Sequence, residues 1–171
     1  ASGQFAWHWQ TSAAFRVYAQ WGQGYRAPNF NELYSPGFDG LFAGNPALSP
    51  ERSHSTEVGS EWQSESFGTW QARVYRNRVR DLIDFSGPLF QARNIRRSRQ
   101  EGLELEWQQQ IGAWQWSGNF SLQDPRNLDS GERLLRRPVR KAALEAERQI
   151  GVWDFVLRAQ AVSERAEFGG E

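Results

Sequence analysis

Between Gly24 and Glu51 the chain reads GYRAPNFNELYSPGFDGLFAGNPALSPE. Pro28, Pro46 and Pro50 punctuate extended chain, and the stretch carries five large aromatics: Tyr25, Phe30, Tyr34, Phe38 and Phe42. A long aromatic loop of this kind is either functional or disordered, and the sequence on each side decides which.

The sequence on both sides alternates. Before the loop, Phe15, Val17, Ala19 and Trp21 share one face against Arg16, Tyr18 and Gln20; after it, Thr56, Val58, Ser60 and Trp62 oppose Glu57 and Glu61. Period-two patterning is the mark of a half-buried strand. It recurs at Phe5–Gln10, from Trp70 through Val74 towards Val79 and Ile83, from Ile95 to Gln108, at Trp114–Leu122, around Ala142–Ala146 and at Trp153–Ala161. About eight strands result, and the fold class is all-β, an antiparallel up-and-down meander. The segment from Arg140 to Arg148, RKAALEAER, is also rich in helix formers. A helix is the alternative there, and the flanking strands favour a strand.

The connections alternate in length. Short turns are expected near 11–14, 64–68, 110–113 and 150–151, and longer connections at 24–53, 84–93 and 124–138. Short turns at one end and long loops at the other is the layout of an outer-membrane barrel. The tryptophans agree with it. Trp9, Trp62, Trp70, Trp107, Trp114, Trp116 and Trp153 all fall within a few residues of a short turn. In a meander they gather into one band, as membrane-interface aromatics do.

Composition fits the same picture. The 171 residues suffice for one domain with a core. Mean hydropathy is strongly negative, yet aromatics make up 14% of the chain, including 9 Trp. A disordered chain is poor in aromatics, and no apolar run approaches the ~18 residues of a membrane helix. Strands that alternate apolar-out with polar-in reconcile low hydropathy with many aromatics. The opposite faces carry Arg16, Glu57, Glu61, Arg73, Glu104, Glu106, Glu145 and Arg158. They line a lumen in a barrel and form the solvated face in a soluble sandwich. The polar extensions Arg76–Asp84 and Asn94–Glu101 favour the barrel.

Several function classes are excluded or weakened. Twenty basic residues balance twenty acidic ones, which argues against nucleic-acid binding. With no cysteine, there is neither a disulfide nor a thiolate metal site. His8 and His54 are the only imidazoles, too few for convincing acid–base or metal chemistry, so no catalytic residues, no metal and no cofactor are assigned. Asp124, Asp129 and Glu132 offer carboxylates for Ca²⁺, but their spacing matches no standard loop. Asn119-Phe120-Ser121 has the form of a glycosylation sequon inside an expected strand. No opening segment reads as a signal peptide.

GYRAPNFNELY followed by GNPALSPERSHSTEVG resembles the strand–loop–strand signature of TonB-dependent outer-membrane receptors. VYRNRVRDLIDF, ARNIRRSRQEGLELEWQ and LLRRPVRKAAL, in that order, resemble the vitamin B12 (cobalamin) transporter branch. The resemblance runs from about residue 13 to 160. It implies a 22-stranded barrel with a plugged lumen, of which residues 1–171 would be a later-middle part, without the plug domain or the closing C-terminal strand. It implies import of a large scarce nutrient, cobalamin or a ferric siderophore, across the outer membrane of a Gram-negative bacterium. The partners implied are outer-membrane lipid, that small-molecule ligand, and the TonB complex acting through the plug. Within the long loop, Arg26, Pro28, Asn29 and Glu32 are expected to anchor its base to the rim. Tyr34, Phe38, Asp39, Phe42 and Asn45 are the expected ligand contacts. The alternative is a soluble β-sandwich binding module of lectin type, which requires Trp7, Trp114, Trp116 and Trp153 to point between two sheets.

Overall fold

In a computed structural model of the chain, which describes residues 2–165, eight strands form a single antiparallel sheet in the order of the sequence. They are β1 (Gly3–Gln10), β2 (Phe15–Arg26), β3 (Glu51–Ser64), β4 (Gly68–Ser86), β5 (Gln91–Ile111), β6 (Trp114–Asn127), β7 (Arg140–Ile150) and β8 (Trp153–Val162). One short helix, α1 (Phe30–Tyr34), lies in the β2–β3 connection. The sheet is open, with β1 and β8 at its edges. The polar tail at 166–171 lies outside the described residues.

Register joins the sequence's alternating faces across all eight strands. Phe15, Trp62, Trp70, Trp107, Gly118, Leu144 and Ala159 form one cross-strand row. The next row on the same face runs from Val17 through Ser60, Ala72, Leu105 and Phe120 to Ala142 and Ala161. The third holds Ala19, Val58, Val74, Leu103 and Leu122. A one-residue slip at any ladder would send these residues to the polar face. The apolar face has no second layer: Trp9 is 57% exposed, Leu157 64% and Trp153 69%. A continuous apolar surface of this extent marks a membrane or partner contact. The sandwich alternative fails here, because the described residues contain one sheet and no second face to cover these side chains.

The turns explain the register. Ile111-Gly112-Ala113-Trp114 and Ile150-Gly151-Val152-Trp153 share one pattern, with φ +62° at each glycine and no positive φ at the residue after it. Glycine at the first of two loop positions is the signature of the tight turns whose twist matches antiparallel strands. On the polar face, Gly59 and Gly102 stand beside Tyr18 and Tyr75, and a Cβ at either glycine would collide with the neighbouring ring. Each tyrosine thus covers the bare backbone its partner leaves.

The sequence-based expectations need correction at three connections. The 84–93 connection shrinks to 87–90, because β4 and β5 pair as far as Ser86↔Gln91. Asp124–Asn127, expected as loop, lies within β6. Pro125 misleads here. Only residues 115–122 of β6 pair with β7; at Pro125 the neighbour on that side is the following loop, bridged at Arg126↔Arg133. The proline's missing N–H points there, where the position calls for no ladder donor. Its carbonyl on that side accepts from Leu134 N at 2.9 Å. Finally, the 27–50 segment contains α1. Arg140–Ile150 is a strand, in agreement with its context.

Beyond the apolar rows, β4 and β5 continue as a long two-stranded arm. Its two faces are covered by two different loops. Leu48 packs with Ile83 and Ala92, joined by Leu33 and Phe85; Leu134 packs with Val79 and Leu82, joined by Ile95. Leu82 and Ile83 are adjacent in one strand and so face opposite ways. The 27–50 segment covers one side of the arm and the 128–139 loop the other.

Candidate functional site

The 27–50 segment leaves the sheet at Arg26 and returns at Glu51, which are paired residues at the rim. Arg26 donates from Nε and Nη2 to the two Glu51 oxygens, at 2.9 and 2.6 Å. Its Nη1 donates to both oxygens of Glu32 at 3.0 Å. Glu32 also accepts from Asn29 N at 2.8 Å, while Asn29 Oδ1 accepts from Glu32 N at 2.9 Å. That reciprocal pair is a capping box, which starts α1 directly after Pro28. Glu51 Oε1 accepts from Ile83 N at 2.8 Å, tying the rim to β4. One arginine therefore links β2, α1, β3 and, through Glu51, β4.

Electrostatics follow from this wiring. The hydrogen bond from Glu51, with that from Glu32, raises the Arg26 guanidinium above its ordinary value despite partial burial. Burial works to raise the Glu51 carboxyl, but Arg26 and the Ile83 N–H outweigh it, and the net shift is downward. In the arm, burial raises the Asp84 carboxyl against the pull of the Phe85 N–H and of Arg137 and Arg136.

The structure divides the expected ligand contacts into two groups. Asn45 is committed to the fold: its Nδ2 donates to Ala92 O at 3.2 Å, its Oδ1 accepts from Ala47 N at 2.9 Å, and its N–H donates to Glu32 O at 2.8 Å. Phe42 docks on the arm, with its ring 5.4 Å from Phe90 and 6.2 Å from Phe85 and its N–H donating to Leu89 O at 3.0 Å. By contrast, Tyr34 is 57% exposed and touches Phe30, at 5.2 Å between rings. Phe38 is 81% exposed, at the end of a small bridge with Leu41. Asp39 lies inside that bridge with a left-handed φ of +49°. Sequence reasoning passed over α1, although Asn29 and Glu32 three residues apart are its start signal.

The aromatic band is ordered by the same register. Trp62, Trp70 and Trp107 stand side by side in one row; Trp70 and Trp107 are 5.7 Å apart, and Trp62 stacks on Phe67 at 6.1 Å. Trp9, Trp114, Trp116 and Trp153 occupy the same apolar face near the short turns. Opposite them, the polar face is laced with ion pairs between directly facing residues: Arg16 with Glu61 at 2.7 Å, Arg73 with Glu104, and Arg158 with Glu145. Tyr18 donates to Glu57 at 3.0 Å. Paired charges across neighbouring strands each stabilise by about 0.2–1 kcal/mol. Asp124 and Asp129 are taken by arginines rather than gathered: Asp124 faces Arg126 at 2.8 Å and Asp129 faces Arg97 at 3.1 Å. Among the described residues, no group of three metal-ligating side chains forms.

One apolar face, one ion-paired face, tight turns at one end and a wired rim at the other leave few families to consider. The family model described as "TonB dependent receptor-like, beta-barrel" matches residues 1–170. The chain belongs to that family. Solved structures of similar fold include the copper transporter OprC, at 23% identity and TM-score 0.76, covering 94% of this chain and 25% of that one. The siderophore receptor PirA from Pseudomonas aeruginosa follows at 18% identity and TM-score 0.74, covering 96% and 31%. A point mutant of the ferric enterobactin receptor PfeA from Pseudomonas aeruginosa, in complex with enterobactin, gives 18% and 0.75, covering 96% and 28%. At these identities the likeness shows the fold. The chain spans about a quarter to a third of the length of these structures. TonB-dependent receptors are receptors and importers rather than enzymes, built on outer-membrane barrels.

Proposed function

We propose that residues 1–171 are the later-middle portion of the transmembrane barrel of a TonB-dependent importer. Its ligand is a large, scarce metal chelate, cobalamin or a ferric siderophore. The ordered motifs VYRNRVRDLIDF, ARNIRRSRQEGLELEWQ and LLRRPVRKAAL favour cobalamin, while the neighbouring structures include siderophore and copper proteins. The apolar face meets outer-membrane lipid, the ion-paired face lines the lumen, and the 27–50 segment stands on the extracellular side. Energy from the TonB complex reaches the ligand through a plug region carried elsewhere in the protein.

The observation that carries this reading is the contrast between a wired loop base and an aromatic tip held out in solvent. A ligand of this size presents flat, partly apolar surface. Tyr34 and Phe38 offer aromatic faces to it at low entropic cost, because the base already holds the segment. The test is direct. The full-length receptor is titrated with cyanocobalamin and, separately, with ferric enterobactin, with and without Phe38→Ala and Tyr34→Ala. Binding of one ligand that weakens roughly tenfold in the variants, with folding unchanged, supports the reading. Full affinity in both variants removes the tip from the site, and binding of neither compound removes the ligand class.

A further inference from the structure

On the apolar face, the sequence of rows ends abruptly in charge. The row beyond Val58, Val74 and Leu103 is Thr56–Arg76–Glu101–Asp124, which is mixed and internally paired. The two rows after it are basic. His54, Arg78, Arg99 and Arg126 stand directly opposite one another across four strands. Arg52, Arg80 and Arg97 do the same across three. Like charges facing each other across a ladder destabilise a sheet, so this arrangement calls for an anion.

The protein supplies too few. Glu101 serves both Arg76, at 2.8 Å, and Arg99, at 3.3 Å. Asp124 serves Arg126 at 2.8 Å and stands 3.9 Å from Arg99. Asp129 serves Arg97. Among the described residues, Arg52, Arg78 and Arg80 have no carboxylate within ion-pair distance, and all three are exposed. The contrast with the polar face, where arginines oppose glutamates, shows that the like-charge rows are specific to this side of the sheet.

Their height identifies the anion. A tilted strand crosses the hydrocarbon in about ten residues. Counted from the short turns at Ser64 and Gly68, that length ends near His54 and Arg78. The basic rows therefore sit at headgroup level. A shallow hollow of about 730 Å³ lies at the boundary, with Trp21, Val58 and Val74 on its apolar side and His54, Arg76 and Arg78 on its polar side, where Glu101 is engaged by Arg76. That pairing fits an amphiphile with an anionic head.

We propose that these two rows bind the phosphate groups of an anionic lipid in the outer leaflet, with its acyl chains against the apolar rows below. The proposal rests on the transmembrane-barrel reading above. Each arginine near such a surface contributes measurably to attraction, and salt screens it.

The test uses the full-length receptor in nanodiscs of phosphatidylcholine alone or with added diphosphoryl lipid A. Retained lipid is counted by native mass spectrometry after mild detergent release. The wild type is expected to keep lipid A. The triple variant Arg52→Gln, Arg78→Gln, Arg80→Gln is expected to lose it by roughly tenfold or more, and the corresponding triple lysine variant to keep most of it. Cobalamin or siderophore binding should be unchanged in both. Heat-modifiable gel mobility checks folding, and the single variant Arg78→Gln replaces the triple if that check fails. Equal retention by wild type and glutamine variant, or equal retention of phosphatidylcholine, overturns the proposal. Full displacement by millimolar inorganic phosphate also overturns it, by showing a soluble-anion site. Failure of the wild type to insert into either nanodisc instead overturns the barrel reading beneath it.

Discussion

The two ends of the 27–50 segment are built by opposite rules. At its base, one guanidinium spans two carboxylates, a capping box closes the start of α1, and Asn45 spends both ends of its amide on backbone groups. At its tip, Phe38 is 81% exposed, and Asp39 holds a left-handed φ of +49°. Between them, Phe42 is half-committed, docked on the arm yet 40% exposed. The difference teaches that rigidity and exposure are assigned residue by residue within one loop. A binding surface needs both: a tip free to meet ligand and a base that removes the entropy of holding it there.

The comparison breaks most sharply at Arg26. Arg26→Ala leaves Glu32 and Glu51 facing each other at 11% and 13% side-chain exposure without their shared cation. Uncompensated carboxylates that are mostly buried cost about 2–4 kcal/mol, less than a fully buried pair because Arg26 itself is 44% exposed. The expected result is a clear fall in Tm and faster amide exchange at Asn29, Glu32, Asn45 and Ile83, with the Trp rows unaffected. Acid should do the same more gently. The Glu51 carboxyl lies below its ordinary value in the folded protein, so its contribution is fully present above the usual glutamate range. It is lost only as pH falls through the lower, folded value. Limited proteolysis of the 27–50 segment should be constant from pH 8 to about 5 and rise below about 4. Loosening already at pH 6 would assign the lock to another group.

How much of this was legible in the sequence depends on whether the signal is local. Alternation and tight turns are local, so all eight strands and the faces of their tryptophans could be read directly. Arg26 and Glu32 could be named as anchors because the motif brings them within six residues. Glu51 and Ile83, which complete the hub, lie far along the chain and depend on register. The bond from Asn45 to Ala92 O was hidden for the same reason: the two residues are 47 apart. Pro125 read as a loop because a proline's meaning in a sheet depends on whether the chain beside it needs its N–H. The basic rows were invisible too, since Arg52, Arg80 and Arg97 become neighbours only through pairing.

Phe42 sharpens the comparison at an intermediate size. Its φ of +56° is costly for a bulky side chain, and it persists because the ring stacks on Phe90 while the N–H is bonded to Leu89 O. Phe42→Ala removes the stack and keeps the strain, and is expected to destabilise the docked segment by about 1–2 kcal/mol. Phe42→Gly removes both and should cost about 1 kcal/mol less than Ala. Amide exchange at Ala92, whose N–H donates to Ala43 O at 3.3 Å, reads the docking. If glycine proves worse than alanine, the left-handed backbone is not what limits this position.

Phe38 carries the smallest expected effect on stability and the most informative one. Its ring is 81% exposed, and its backbone bridges Leu41 at 2.8 Å in each direction. That bridge does not depend on the side chain, so Phe38→Ala should shift Tm by no more than about 0.5 kcal/mol equivalent. Exposure of so large an apolar ring stabilises nothing in the free protein. If it has a use, the use appears only when ligand covers it. Measured together, an unchanged Tm and a weakened ligand affinity would separate tip from base by function as cleanly as the hydrogen bonds separate them by structure. A fall in Tm comparable to that of Arg26→Ala would show that the tip is part of the scaffold, and the division drawn within this loop would fail.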